Sequence, residues 1–252
     1  TTALATLEWH DHKINLLDTP GTFDFAGEAV GAMAAADLAV FVVDASSGLD
    51  HATVDLWRQA ADRGLPRLVF VNKLDREHTD FESVLGELQD AFGAGVAPLE
   101  IPIGAAEGFH GIAALLPDTA WIYDSGSAEL GEIPAEMEER EHEIHDSLVE
   151  NIVVADDALL ERFVDGEVPS FEELEKVLGR GVAGGTVFPV VCGSATIPIA
   201  VDRLCNYIVE VGPAPTDRPP VPVVVGTSTI DVAPDPSADA LVHVFKTAVD
   251  PY

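Results

Sequence analysis

Positive charge is scarce in this chain: 13 lysines and arginines stand against 44 aspartates and glutamates, a formal net charge of −31 over 252 residues. A surface of that sign repels phosphate backbones, which excludes broad nucleic-acid binding by this segment. Cysteine is nearly missing as well. Cys192 and Cys205 fall at a strand end and on a helix in the pattern, without metal-ligand spacing, and read as reduced, packed thiols. No apolar run approaches the roughly 18 residues that crossing a bilayer requires, so the expectation is a soluble, cytoplasmic protein without a membrane partner. The pattern Gly-x-x-x-x-Gly-Lys-[Ser/Thr] occurs nowhere, and with it are missing a glycine-rich phosphate cradle, its lysine and its hydroxyl. What is present is a hydrophobic fraction of 47%, sufficient for a substantial core in one large or two small domains.

Periodicity sets out the elements. Ala3 to Trp9 and Lys13 to Leu17 flank His10-Asp11-His12 and read as a hairpin. Strand Leu38 to Asp44, helix His51 to Arg63, strand Leu68 to Asn72 and helix Phe81 to Phe92 then alternate, which predicts an α/β fold with a parallel sheet and right-handed crossovers. An insertion of about a hundred residues follows, far longer than an ordinary connection. It opens with a strand over Leu99 to Gly104, continues through Gly108 to Asp118, and is helical from Pro134 to Phe163 with a break before Leu159. Ser170 with Glu173 predicts a capping box for a helix reaching Leu178. Strand Val187 to Val191 and helix Ile199 to Glu210 precede a proline-rich stretch, Gly212 to Pro222, that reads as a linker. The tail, Leu241 to Val249, alternates as the first strand of a further domain.

Three short stretches end apolar strands, at the sheet edge where open α/β folds bind ligands. In Asp18-Thr19-Pro20-Gly21 the carboxylate suits a magnesium ion held through water, and the Pro-Gly turn lets a backbone N–H approach a terminal phosphate; the same residues also make a plain strand-to-turn exit. In Asn72-Lys73-Leu74-Asp75 the aspartate can accept from the N1–H and amino group of guanine, an edge on which adenine has no matching donors. Asn72 ties the loop together and the stem of Lys73 covers the ring; the competing reading is a capped helix start. In Cys192-Gly193-Ser194-Ala195 small residues let backbone N–H groups reach the guanine carbonyl, or simply turn a strand into a helix. His142 and His145 lie three apart without a third ligand and read as surface histidines.

With these boxes in this order, the chain resembles the GTPase region of translation elongation factor G, and among its relatives the actinobacterial elongation factor G-like proteins. Lys13 to Phe25 matches the switch segment, Thr53 to Ala60 the following helix, Pro66 to Arg76 the base loop, and Phe245 to Tyr252 the opening of the family's β-barrel domain. The resemblance implies a P-loop-type GTPase domain with an inserted α+β subdomain, binding GTP or GDP with Mg2+ and working as a monomer on the large ribosomal subunit. The nucleotide-binding residues it implies are Asp18, Thr19, Pro20, Gly21, Asn72, Lys73, Asp75, Ser194 and Ala195, with Asp18 on the metal through water. It divides the chain into GTPase domain at 1–97 and 187–211, inserted subdomain at 98–186, linker at 212–239 and the first strand of a second domain at 240–252. The inserted subdomain is expected to meet the ribosomal stalk protein.

Two departures bear on chemistry. The missing phosphate loop leads us to expect a fragment of a longer GTPase, or alternatively a degenerate member; either way weak nucleotide binding, no turnover by these residues alone, and unpaired inner strand edges that loosen the fold. Thr22 stands where the family carries the histidine that orients the attacking water, so hydrolysis is expected to be slower or differently arranged. A ribosomal protection or release-factor-type GTPase, a ribosome-associated protein that binds GTP with little hydrolysis, and an interaction module remain as alternatives.

Overall fold

The computed structural model describes residues 1–124 and 127–247. The chain begins with the expected hairpin, β1 (Ala3–Trp9) and β2 (His12–Asp18), which turns through His10 and Asp11, both at positive φ (44° and 61°). Two left-handed residues in succession give the turn a twist that matches that of the paired strands. A 3-10 turn, Phe23–Phe25, leads into α1 (Ala26–Met33), an Ala/Gly-rich helix that had no clear signature in the sequence. There follow β3 (Ala39–Asp44), α2 (His51–Asp62), β4 (Arg67–Asn72), α3 (Phe81–Phe92) and β5 (Val96–Pro98). The inserted region contains β6 (Glu100–Ile103), β7 (Gly111–Ala114), β8 (Thr119–Asp124), β9 (Ser127–Gly131), α4 (Glu138–Val153), α5 (Asp157–Val164) and α6 (Phe171–Ala183). β10 (Phe188–Cys192), α7 (Val201–Glu210), β11 (Val221–Val225) and β12 (Ser228–Val232) complete the order.

β3, β4, β10 and β5 form one parallel sheet in that spatial order, flanked by helices, as the α/β expectation required. Arg67 to Val71 of β4 and all of β10 are buried, which explains why both read as nearly continuous apolar runs. The helices start where side chains satisfy free backbone donors: Asp50 accepts from Thr53 N at 2.7 Å and Asp80 from Ser83 N at 3.0 Å. Ser170 and Glu173 close the predicted capping box on α6. Among the described residues β3 has a ladder partner only in β4, and β2 only in β1, so the hairpin stands apart from the parallel sheet. Trp9 Nε1 ties it to α7 through Asn206 Oδ1 at 2.7 Å. The outer edge of β3 leaves Val42 60% exposed.

The insertion is α+β, as expected, with more strand than the periodicity showed. Its first part is a four-stranded antiparallel sheet, β6-β7-β8-β9, of which β8 and β9 were not anticipated; the signal lay in Trp121-Ile122-Tyr123, a short aromatic and β-branched run. The helical stretch breaks at Val154 to Asp156, where Asp156 accepts from Leu159 N at 3.0 Å and starts a new helix. The expected linker contains the β11–β12 hairpin, because Val221 to Val225 alternates against Ser228 to Val232 across a turn at Gly226 (φ 63°). The strand expected over Leu241 to Val249 is absent from 241–247, and its last two residues lie outside the described ones.

An aromatic joint holds α2, α3 and the sheet together. Trp57 stacks on Phe92 at 3.9 Å and meets Phe41 and Phe188 at 5.0 Å each, while the Arg67 guanidinium lies over Trp57 and Phe188 and donates to Gly185 O at 3.1 Å. Replacing Trp57 by alanine removes the ring that all of them share. We expect a loss of about 3–5 kcal/mol in urea unfolding, the range for a buried aromatic truncated to alanine.

Candidate functional site

Parallel pairing explains why distant motifs meet. Asp44 lies opposite Asn72, and Cys192 opposite Val71, so β3, β4 and β10 all end at one edge of the sheet. Beyond that edge the two loops cross-link. Asn72 Oδ1 accepts from Lys73 N at 2.8 Å and from Ala195 N at 3.0 Å. Ser194, fully buried, donates from its hydroxyl to Asp75 Oδ1 at 2.5 Å and accepts from Thr196 N and Ile197 N at 3.2 and 3.4 Å. Ser194 also exchanges two backbone bonds of 3.0 Å with Ile199, which closes the loop and delays α7 to Val201, after Ala200 at φ 59°. Gly193 is required for space: a Cβ there would lie 2.5 Å from Ile199 O and 3.0 Å from the Phe70 ring.

Asn72, Lys73, Asp75, Ser194 and Ala195 are thus brought together. Two details were not foreseen. The Ala195 N–H is engaged by Asn72 Oδ1. The Lys73 ammonium, on a residue at φ 68°, is anchored 2.5 Å from Asp44 Oδ2. Asp44 belongs to the cluster and had been read only as a strand end; its signal was its position, level with Asn72 at the end of a buried strand. Burial pushes its carboxyl up, but hydrogen bonds from Lys73 and from the Ser46 hydroxyl and backbone N–H (2.6 and 2.9 Å) outweigh this and hold it at about 2.

Asp18, Thr19, Pro20, Gly21 and Thr22 lie elsewhere, at the end of β2 on the separate hairpin and in the loop beyond it. Asp18, Gly21 and Thr22 are exposed, and the Thr22 carbonyl accepts from Phe25 N at 2.9 Å while its hydroxyl makes no capping bond. Gly21, Thr22 and Phe23 face Ala52, Asp55 and Arg58 of α2 across a cleft of about 430 Å³. Phe23 is 70% exposed at its rim. Among the described residues no group of three or more His, Cys, Asp or Glu could hold a metal by itself, and His142 Nδ1 sits 2.5 Å from Glu138 O.

The sequence profile described as "Elongation factor Tu GTP binding domain" matches residues 1–214. The fold is similar to the crystal structure of a protein from Thermus thermophilus, with a TM-score of 0.80 and 34% identity over 87% of this chain. The chain spans about a third of that protein, 34% of its length.

The Asp44–Lys73 contact carries a pH signature. Because the folded carboxyl titrates near 2, below its ordinary value, its contribution is complete above about pH 4 and disappears as pH falls through 2. Asp44→Asn should therefore flatten the urea stability profile between pH 4 and 2 relative to the unsubstituted protein. Asn72→Ala leaves the Lys73 and Ala195 N–H groups without their acceptor and should lower stability by about 1–3 kcal/mol in the same assay.

Proposed function

The chain belongs to the family of elongation factor Tu GTP-binding domains, and from that premise we propose that it is the guanine-nucleotide-binding region of an elongation factor G-like translational GTPase acting on the ribosome. The observation that carries this is the pair of cross-links Asn72–Ala195 and Asp75–Ser194, which fix one carboxylate at a sheet edge before any ligand arrives. With Oδ1 of Asp75 held by Ser194, the rest of the carboxylate accepts from N1–H and the amino group of guanine. The stem of Lys73 lies along the base while its head is held on Asp44. Asp18 is the residue suited to Mg2+ through water, with Thr19, Pro20 and Gly21 turning the backbone toward the terminal phosphate; bound Mg2+ would neutralise charge on the phosphates.

In this reading the GTPase body comprises residues 1–97 and 187–211, the subdomain at 98–186 meets the stalk of the large ribosomal subunit, and the protein works as a cytoplasmic monomer. GTP binding orders a ribosome-competent state and hydrolysis releases it. The 252 residues contain no Gly-x-x-x-x-Gly-Lys-[Ser/Thr], so by themselves they bind nucleotide weakly and do not turn it over. Thr22 supports a second reading, a ribosome-associated protein that binds GTP with little hydrolysis, because a hydroxyl is shorter than an imidazole and cannot take its charge. Ribosome-stimulated phosphate release from a version that carries a phosphate loop separates the two.

Asp75→Asn tests the base assignment. Exchanging a carboxylate for an amide should turn preference from guanosine toward xanthosine diphosphate by at least about tenfold, measured by competition, since charge-assisted hydrogen bonds contribute about 1.5–3 kcal/mol each. An unchanged ratio refutes the role of Asp75.

A further inference from the structure

Glu100, the first residue of β6, is fully buried and lies directly behind the base loop. Register explains how it arrives there. β5 pairs with β10 up to Pro98 opposite Val190, and Leu99 N continues the contact by donating to Val190 O at 2.9 Å. Two residues further along each strand, Glu100 comes level with Cys192, the residue before Gly193. The Cys192 backbone N–H faces the Glu100 carboxyl, and so does the Tyr207 hydroxyl. Arg203, in the first turn of α7, places Nε 3.4 Å from Glu100 Oε1, its guanidinium flanked by the rings of Trp121 and Tyr207 at 5.1 and 5.0 Å. Glu100 therefore touches the chain on both sides of the loop Gly193 to Ala200. The connection after β6 grips the other base loop, where Ala106 N donates to Leu74 O at 3.1 Å.

Stability alone does not account for this arrangement. Oε2 of Glu100 has no hydrogen-bond partner, and burial pushes the carboxyl up to about 7. A buried ion pair with an orphaned oxygen is generally no more stable than apolar residues of similar size. What apolar residues would not supply is the directional contact with Arg203 beyond the loop, made by a side chain that also lies against Cys192 before it.

We infer that Glu100, with Arg203, is a positioning residue for the Ser194–Ala195 loop, so that the inserted β6–β7 hairpin sets the geometry of the base site from behind. This rests on the guanine reading of that loop. The test is amide hydrogen exchange together with GDP binding in Glu100→Leu/Arg203→Met, a pair of substitutions expected to keep the fold because both charges leave together. Amides of 193–199 should exchange at least about tenfold faster while those of β4 keep their protection, and GDP affinity should fall about tenfold. Glu100→Gln, which keeps an acceptor, should restore most of both. Unchanged exchange at 193–199, or equal acceleration in β4, overturns the inference. If the loop loosens as expected while ADP displaces GDP from the unsubstituted protein as well as GDP itself does, the guanine reading fails and the hold of Glu100 on the loop is supported.

Discussion

Everything at the site depends on the ladder between β4 and β10. It joins segments separated by 119 residues at the Asp75–Ser194 contact, so the whole inserted region must fold back before the two loops can touch. Loop-closure entropy grows only logarithmically with length, so an insertion of this size is tolerable provided its ends are held firmly. They are: β5 leaves the sheet beside β10, and α6 returns through Val187 N to Gly181 O at 3.1 Å. Gly181 itself lies so close to Val187 that a Cβ would come within 2.5 Å of its side chain.

Scarce cations mark the joints of the molecule. With 13 basic residues against 44 acidic ones, self-repulsion opposes compaction, and a cation committed internally brings local compensation. Lys73 joins β4 to Asp44 of β3, Arg203 joins α7 to Glu100 of β6, and Arg67 fills the aromatic joint between α2 and β10. Lys246 reaches Glu28 of α1 at 2.6 Å, where Thr2 also donates from its backbone N–H and hydroxyl. Hydrogen bonds from Lys246 and Thr2 hold the Glu28 carboxyl at about 2. These contacts link elements far apart in sequence, unlike the short-range pairs Arg140–Glu143 and Arg58–Asp55 on helix surfaces, which add little.

The parallel sheet and its helices were legible because buried strands leave continuous apolar runs and helices leave caps: Asp50, Asp80 and Ser170 each stand where a helix begins. The cluster of Asn72, Lys73, Asp75, Ser194 and Ala195 was legible because its residues are polar and small directly after such runs. The β8–β9 hairpin was not, since its residues are mostly half-exposed and alternate over a few positions only. Neither were Asp44 and Glu100. Their significance comes from register between strands, Asp44 opposite Asn72 and Glu100 level with Cys192, which periodicity along a single strand does not encode.

The two ends of the candidate site are built for different behaviour. The loops of Asn72–Asp75 and Gly193–Ala195 are held by a buried serine, a lysine at positive φ and a glycine without room for a side chain. Such a loop loses little entropy on binding, so in the proposed reading selectivity for the base resides in the protein core. The segment from Asp18 to Phe25 is held differently: it ends a two-stranded hairpin, exposes Phe23 and Phe25 at 70% and 51%, and borders an open cleft against α2. Few buried contacts oppose a change of its conformation, which places it at the low-stability end of the molecule. In the proposed reading, a nucleotide whose base is anchored at the rigid end reshapes the loose end according to its phosphates, because differential contacts made there meet little resistance.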